Sequence, residues 1–188
     1  MEVTAGRPQE ARRLQLVVCA VALLVMCIMG RAVPIASSQT GTGHPKSSKP
    51  PTILFMCPHG AAKSVLASAY FQRLAKARGL NVHVASAGTE PDATVSPAVA
   101  AHLKGRGYPV PIAKPRKVAP EELASADVVI SIGCDLAALP QPRGRLVRWD
   151  EVPALSDGFT AADEAIRTRV NDLVEELVRS MPKTKKTK

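Results

Sequence analysis

The chain has 188 residues, with 46% hydrophobic and 22% charged side chains, enough for one folded domain with appendages and too few for two large ones. That balance excludes wholesale disorder and collagen-like or low-complexity architectures. The net charge of +9 comes from 25 Lys and Arg against 16 Asp and Glu, but the excess sits at the two ends. Residues 50–182 carry 15 basic and 14 acidic side chains. A basic face for nucleic acid is therefore not expected, and the KTKKTK end at 183–188 reads as a solvated tail.

In chain order, the first feature is an apolar run of 16 residues, Leu14 to Met29, broken only by Gln15 and preceded by Arg12 and Arg13. It is followed by the small-residue stretch ending Ala36-Ser37-Ser38. This is the layout of a secretory signal peptide, or of an uncleaved anchor over residues 14–29, and predicts a periplasmic or extracellular domain. Membrane contact is expected only through that leader, residues 1–38. Residues 39–50, QTGTGHPKSSKP, are a flexible linker. Of the four cysteines, Cys19 and Cys27 belong to the leader, leaving Cys57 and Cys134 for the domain; there is no disulfide framework and no zinc-ribbon spacing.

The domain is expected over 51–180, with a basic tail at 181–188. Strands are predicted at Thr52–Met56, Val82–Ser86, Val128–Ile132 and Leu146–Trp149. Their lack of strict alternation suits strands covered on both faces. Helices are predicted at Ser64–Arg78, Pro97–Gly105, Pro120–Ser125 and Ala161–Arg179, the last opened by Thr160 with Asp163 as a capping pair. The Pro-rich stretch Tyr108–Pro115 is a loop. Strands alternating with helices predict an α/β three-layer sandwich: a parallel sheet of about four strands, with helices on both faces.

The chemistry concentrates in Cys57-Pro58-His59-Gly60-Ala61-Ala62-Lys63-Ser64. A small-residue loop between the carboxyl end of a parallel strand and the amino end of a helix turns successive N–H groups toward one point, where the helix dipole adds positive potential. An anion belongs there. The same field favours a thiolate at Cys57, and Ser64 is placed to donate to the sulfur. Lys63 is a cation at the positive end of a helix, a mismatch that an anion would relieve. His102 reads as a helix-surface residue, and Trp149 as a rim or core aromatic. A copper or zinc site built from Met56, Cys57 and His59 with Cys134 or His83 is an alternative, although no further ligand lies at metal spacing.

These residues resemble the low-molecular-weight phosphotyrosine protein phosphatase superfamily, which includes thioredoxin-coupled arsenate reductases. Cys57, Lys63 and Ser64 fall where the family has Cys, five residues, Arg and Ser. Ser86-Ala87-Gly88-Thr89, Ser96-Pro97 and Asp127–Asp135 are similar to later family segments, as are Arg148-Trp149 and the last helix. The resemblance spans residues 52–179 and implies the phosphotyrosine protein phosphatase I fold. It also implies a small oxyanion or phosphomonoester substrate bound by residues 58–63, and no cofactor. The implied reaction is phosphomonoester hydrolysis or arsenate reduction: Cys57 attacks, Lys63 and the loop amides hold the anion, and Ser64 supports the sulfur. Asp150 or Glu151 would protonate the leaving group; in the reductase version Cys134 is the partner thiol, recycled by a thiol reductant. The chain departs from the pattern at the Arg, here Lys63, at the loop Asn, here Gly60, at the Asp before the late Pro, here Val152, and at a third redox cysteine. Those losses keep a rival open, a catalytically degenerate oxyanion-binding protein.

Overall fold

β1 (Thr52–Cys57) and β3 (Val128–Ser131) are buried along nearly their whole length, as expected of apolar strands covered on both sides. β2 (His83–Gly88) and β4 (Arg145–Arg148) flank them in the order β2-β1-β3-β4, and every pairing is parallel. β4 begins and ends with exposed arginines, which keeps this open edge soluble. The helices are α1 (Lys63–Ala77), α2 (Pro97–Gly105), α3 (Pro120–Ser125) and α4 (Phe159–Ser180). The structure is a computed structural model that describes residues 49–180. The leader at 1–38 with Cys19 and Cys27, nearly all of the 39–50 linker, and the 181–188 tail lie outside those residues.

The faces of β1 divide the core in two. Ile53, Phe55 and Cys57 point to one side, where Val65, Leu66 and Phe71 of α1, Val99 and Leu103 of α2, and Ile166, Val170 and Val174 of α4 close over them. Phe55 anchors that layer, with its ring 5.4 Å from Phe71 and 6.1 Å from Trp149. Leu54 and Met56 point the other way, to Leu123 of α3, Val118, Val129 and Cys134. Helices cover both sides, unevenly: three on one and the single short α3 on the other. Trp149 belongs to the core.

Element boundaries agree with expectation to within two residues, with β2 running on to Gly88. The α4 capping pair does not form. α4 starts at Phe159, and Asp163 is buried, where Tyr70 O–H donates to its Oδ1 and His102 Nε2 lies 3.3 Å away. His102 is correspondingly not a plain surface residue: it packs its ring 4.8 Å from Phe159 and sits 3.1 Å from Tyr70 Oη. Burial, then the Asp163 hydrogen bond and charge, push the Tyr70 phenol far above its ordinary value.

The strand order places a topological switch between β1 and β3, since the chain leaves β1 for β2 on one side and returns to β3 on the other. In parallel α/β sheets, ligand crevices open at that point, beyond the carboxyl ends of the strands. Cys57 ends β1 there, and Cys134 follows β3.

Candidate functional site

β1 runs into the loop 58–62 and then straight into α1. The loop is folded around Gly60, at φ +59°, where a Cβ would stand 2.8 Å from Gly88 N. A Cβ at Gly88 would in turn stand 2.6 Å from Gly60 N, so the two glycines permit a backbone contact that no side chain would allow. Glycine at 60 is thus a requirement of this loop and more than the loss of a supporting asparagine.

The support comes from a strap, residues 88–96, which follows β2. Glu90 N–H donates to Pro58 O at 2.8 Å, Asp92 N–H to His59 O at 3.0 Å, and Ser96 N–H to Ala61 O at 3.0 Å. Because a planar peptide unit sends its C=O and N–H in opposite directions, drawing Pro58 O and Ala61 O to the strap turns His59 N–H and Ala62 N–H away from it. Gly60 N–H closes a turn onto Cys57 O at 3.2 Å. α1 has no side-chain cap and no acidic residue in its first turn. The amides of His59, Ala61, Ala62, Lys63 and Val65 donate to no acceptor among the described residues. Pro58 contributes rigidity only. The result is a run of N–H groups without a protein acceptor among the described residues at a helix amino end, the kind of arrangement that suits an anion.

Cys57 is buried at the floor. In the thiol form its S–H donates to Ser64 Oγ at 3.2 Å, while Ser64 N–H donates to Cys57 Sγ at 3.4 Å. Once the thiol ionises, the hydroxyl can reverse and donate, giving the sulfur anion two donors from one residue. Lys63 is half-buried. Its Nζ donates to Val152 O at 3.4 Å and lies against Gly133, whose φ of +70° and missing side chain leave room for it. The ammonium is thus tethered between the turn after β3 and the 149–153 loop, with two N–H bonds left to spend.

Cys134 is buried, in the apolar layer opposite Cys57, and both thiols are free. Burial pushes the Cys134 thiol up to about 11; the Ser131 hydroxyl pulls it down, and the nearness of Cys57 adds to the rise. The two cysteines feel one another without being bonded.

Asp150 and Glu151 do not reach toward Cys57. Asp150 Oδ2 pairs with Arg148 Nε at 2.6 Å, and Glu151 Oε1 with Arg169 at 2.5 Å, all four side chains being about half exposed. Val152, at the position before Pro153, is buried. His59 stands open at the loop surface with its Nδ1 3.3 Å from Asp92 Oδ1. His83 begins β2 opposite Thr52, five residues from the Cys57 end, or about 16 Å away, so it cannot join Cys57 around one ion. Among the described residues, no three His, Cys, Asp or Glu side chains gather as a metal site, and no helix is long and apolar enough to cross a membrane. Sequence reasoning missed the strap, whose hydrogen bonds to the loop come from backbone N–H groups and from one side chain, the Thr89 hydroxyl donating to Pro58 O at 3.4 Å; only the turn-forming Gly88-Thr89-Glu90-Pro91 marks its start.

Residues 52–143 match the family described as low molecular weight phosphotyrosine protein phosphatase. Among solved structures, the chain is similar to the thioredoxin-dependent arsenate reductase Cg_ArsC1' of Corynebacterium glutamicum, at 29% identity and TM-score 0.62. That match covers 72% of this chain and 65% of the other, so the chain spans just under two thirds of that protein. It is also similar to an arsenate reductase of Archaeoglobus fulgidus, at 30% identity and TM-score 0.52, covering 65% of this chain and 98% of that one. A low molecular weight phosphotyrosine phosphatase of Vibrio cholerae O395 shares the fold at 18% identity, with TM-score 0.62 over 70% of this chain and 99% of its own.

Proposed function

We propose that this chain, which belongs to the low molecular weight phosphotyrosine protein phosphatase family, is an enzyme that uses Cys57 as a thiolate nucleophile on a tetrahedral oxyanion, by phosphomonoester hydrolysis or arsenate reduction. The observation that carries the reading is the loop itself: five amides with no acceptor among the described residues and a helix amino end above one buried sulfur that Ser64 addresses twice. In this reading the amides of His59, Ala61, Ala62, Lys63 and Val65 bind the equatorial oxygens, and the Lys63 ammonium adds positive charge at the edge of the cradle. Hydrolysis forms an S–P bond at Cys57 and expels the alcohol; water then cleaves the S–P bond and releases phosphate. With arsenate, Cys57 forms an S–As bond as an As–O bond breaks and the oxygen leaves as water; Cys134 then attacks the Cys57 sulfur, the S–As electron pair stays with arsenic so that arsenite departs, and a thiol reductant reopens the Cys57–Cys134 disulfide.

The leader carries a further part of the proposal, that the domain works outside the cytoplasm, exported or held by residues 14–29. The reductant would then be a thiol of that compartment.

The deciding experiment is hydrolysis of p-nitrophenyl phosphate and reduction of arsenate by the reduced full-length protein, beside Cys57→Ser. Turnover of either substrate that disappears in Cys57→Ser supports the reading; no Cys57-dependent turnover of either overturns it. One observation favours a second reading, an oxyanion-binding protein without turnover: Asp150 and Glu151 are both engaged by arginines. Its signature is a melting temperature raised by phosphate or arsenate in a protein that turns over neither.

A further inference from the structure

We propose that His59, oriented by Asp92, supplies and recovers the proton at the mouth of the loop, the task for which the family pattern uses a late-loop aspartate. The inference rests on the thiolate reading above and names the acid it lacks.

Three facts converge on His59. Around the position of the family's acid, Asp150 and Glu151 are paired with Arg148 and Arg169, the residue before Pro153 is the buried Val152, and Asp157, four residues on, accepts from Ser156 Oγ at 3.0 Å. His59 lies two residues from the nucleophile, which keeps its Cα within about 7 Å of that of Cys57, and its side chain is 65% exposed at the loop surface. Asp92 Oδ1 lies 3.3 Å from its Nδ1, an arrangement that commits Nδ1–H to the carboxylate and leaves Nε2 to exchange a proton. The Asp92 N–H to His59 O bond at 3.0 Å ties the two backbones together, which keeps the carboxylate within reach of the ring. The charged groups on the segments packed against His59 are Glu90 and Asp92 of the strap, with Lys63 at the far end of its own loop.

An exposed ion pair adds little to stability, and the backbone bonds already shape the loop. A function in proton transfer gives the pair a purpose that structure does not. As Cys57 Sγ forms its bond to phosphorus, the phosphorus–oxygen ester bond breaks and protonated His59 gives its Nε2 proton to the departing oxygen. Neutral His59 then takes a proton from the water that cleaves the S–P bond, restoring its starting state. With arsenate, the same proton lets the displaced oxygen leave as water.

The test compares kcat/KM for phenyl phosphate, whose leaving phenol is poor, with that for p-nitrophenyl phosphate, whose leaving phenol is good. A general acid matters most for the poor leaving group. His59→Gln is expected to lose roughly 100-fold on phenyl phosphate and at least about ten-fold less on p-nitrophenyl phosphate. Asp92→Asn is expected to show the same asymmetry to a smaller degree, and phosphate is expected still to raise the melting temperature of both variants. Equal losses on the two esters, or no loss on either, overturn the assignment to His59 while leaving the Cys57 chemistry standing. If the wild-type protein shows no Cys57-dependent turnover of either ester, hydrolysis fails and this inference falls with it.

Discussion

Ser64 Oγ lies 3.2 Å from Cys57 Sγ although the residues are seven apart in the chain, because β1, the loop and the first turn of α1 fold back on themselves. The hydroxyl stabilises the sulfur only as an anion's donor. Ser64→Ala is expected to remove a hydrogen bond to a charged group, about 1.5–3 kcal/mol, and to lower kcat/KM by roughly 10- to 100-fold. Steady-state kinetics on p-nitrophenyl phosphate check this, and an unchanged kcat/KM would contradict it. Ser64→Thr, which keeps the hydroxyl, is expected to retain more activity than the alanine variant.

Lys63→Arg replaces a point charge by a planar fork that can grip two oxyanion oxygens at once. It also gives up the ammonium seated between Val152 O and Gly133. Kinetics and a phosphate titration are expected to show tighter product binding and a kcat/KM at least several-fold higher. Lower affinity for phosphate would mean that the tethered ammonium is the better partner.

Adding one methyl group at Gly60 is expected to dismantle the cradle. Gly60→Ala imposes a left-handed conformation on an alanine and drives its Cβ into Gly88 N, for a cost of about 2 kcal/mol or more. Chemical denaturation reads the stability, and loss of phosphate-induced thermal stabilisation reads the site. A variant of wild-type stability with intact phosphate binding would show that the Gly60–Gly88 contact is dispensable.

Cys134 makes the reduced protein sensitive to alkaline pH. Its folded value is raised to about 11 from an ordinary 9.0, so the neutral thiol is retained in the fold while the unfolded chain releases its proton earlier. Stability from this group is complete below pH 9 and is lost as the pH rises toward 11, for a total on the order of 2 kcal/mol. The difference between wild type and Cys134→Ala in unfolding free energy, followed from pH 8 to 11, isolates it from other titrating groups. A difference that does not change with pH would contradict the expectation.

Tyr70, His102 and Asp163 tie α1, α2 and α4 to one another by polar contacts under a largely apolar layer. Tyr70→Phe is expected to cost about 1–3 kcal/mol, because the buried Asp163 carboxylate loses its hydroxyl donor. The deficit is to be read by urea denaturation at neutral pH. A neutral result would assign the burden of Asp163 to His102 alone.

What the sequence disclosed and what it hid follow from the range of the interactions involved. β1 and β3 were legible as strands covered on both sides because Ile53 to Met56 and Val128 to Ile132 are apolar without alternation. The proximity of Cys57 and Ser64 follows from a local strand, loop and helix. Asp163 was misread because a capping role is judged from three neighbouring residues, whereas its partner Tyr70 is 93 positions away. His102 reads as a surface residue for the same reason, with Tyr70 on another helix. Asp150 and Glu151 read as unengaged acids until the fold set Arg148 and Arg169 beside them. Of the strap only the opening turn was legible, since three of its bonds to the loop are made by atoms that every non-proline residue has.

That last property leaves most of the strap's side chains at liberty, Thr89 and Asp92 excepted. Since Glu90 and Ser96 brace the loop through main-chain atoms, their identities can drift under selection while the cradle persists. A lineage can thereby exchange the clientele of this catalyst by rewriting its threshold, with no repair needed in the chamber beneath.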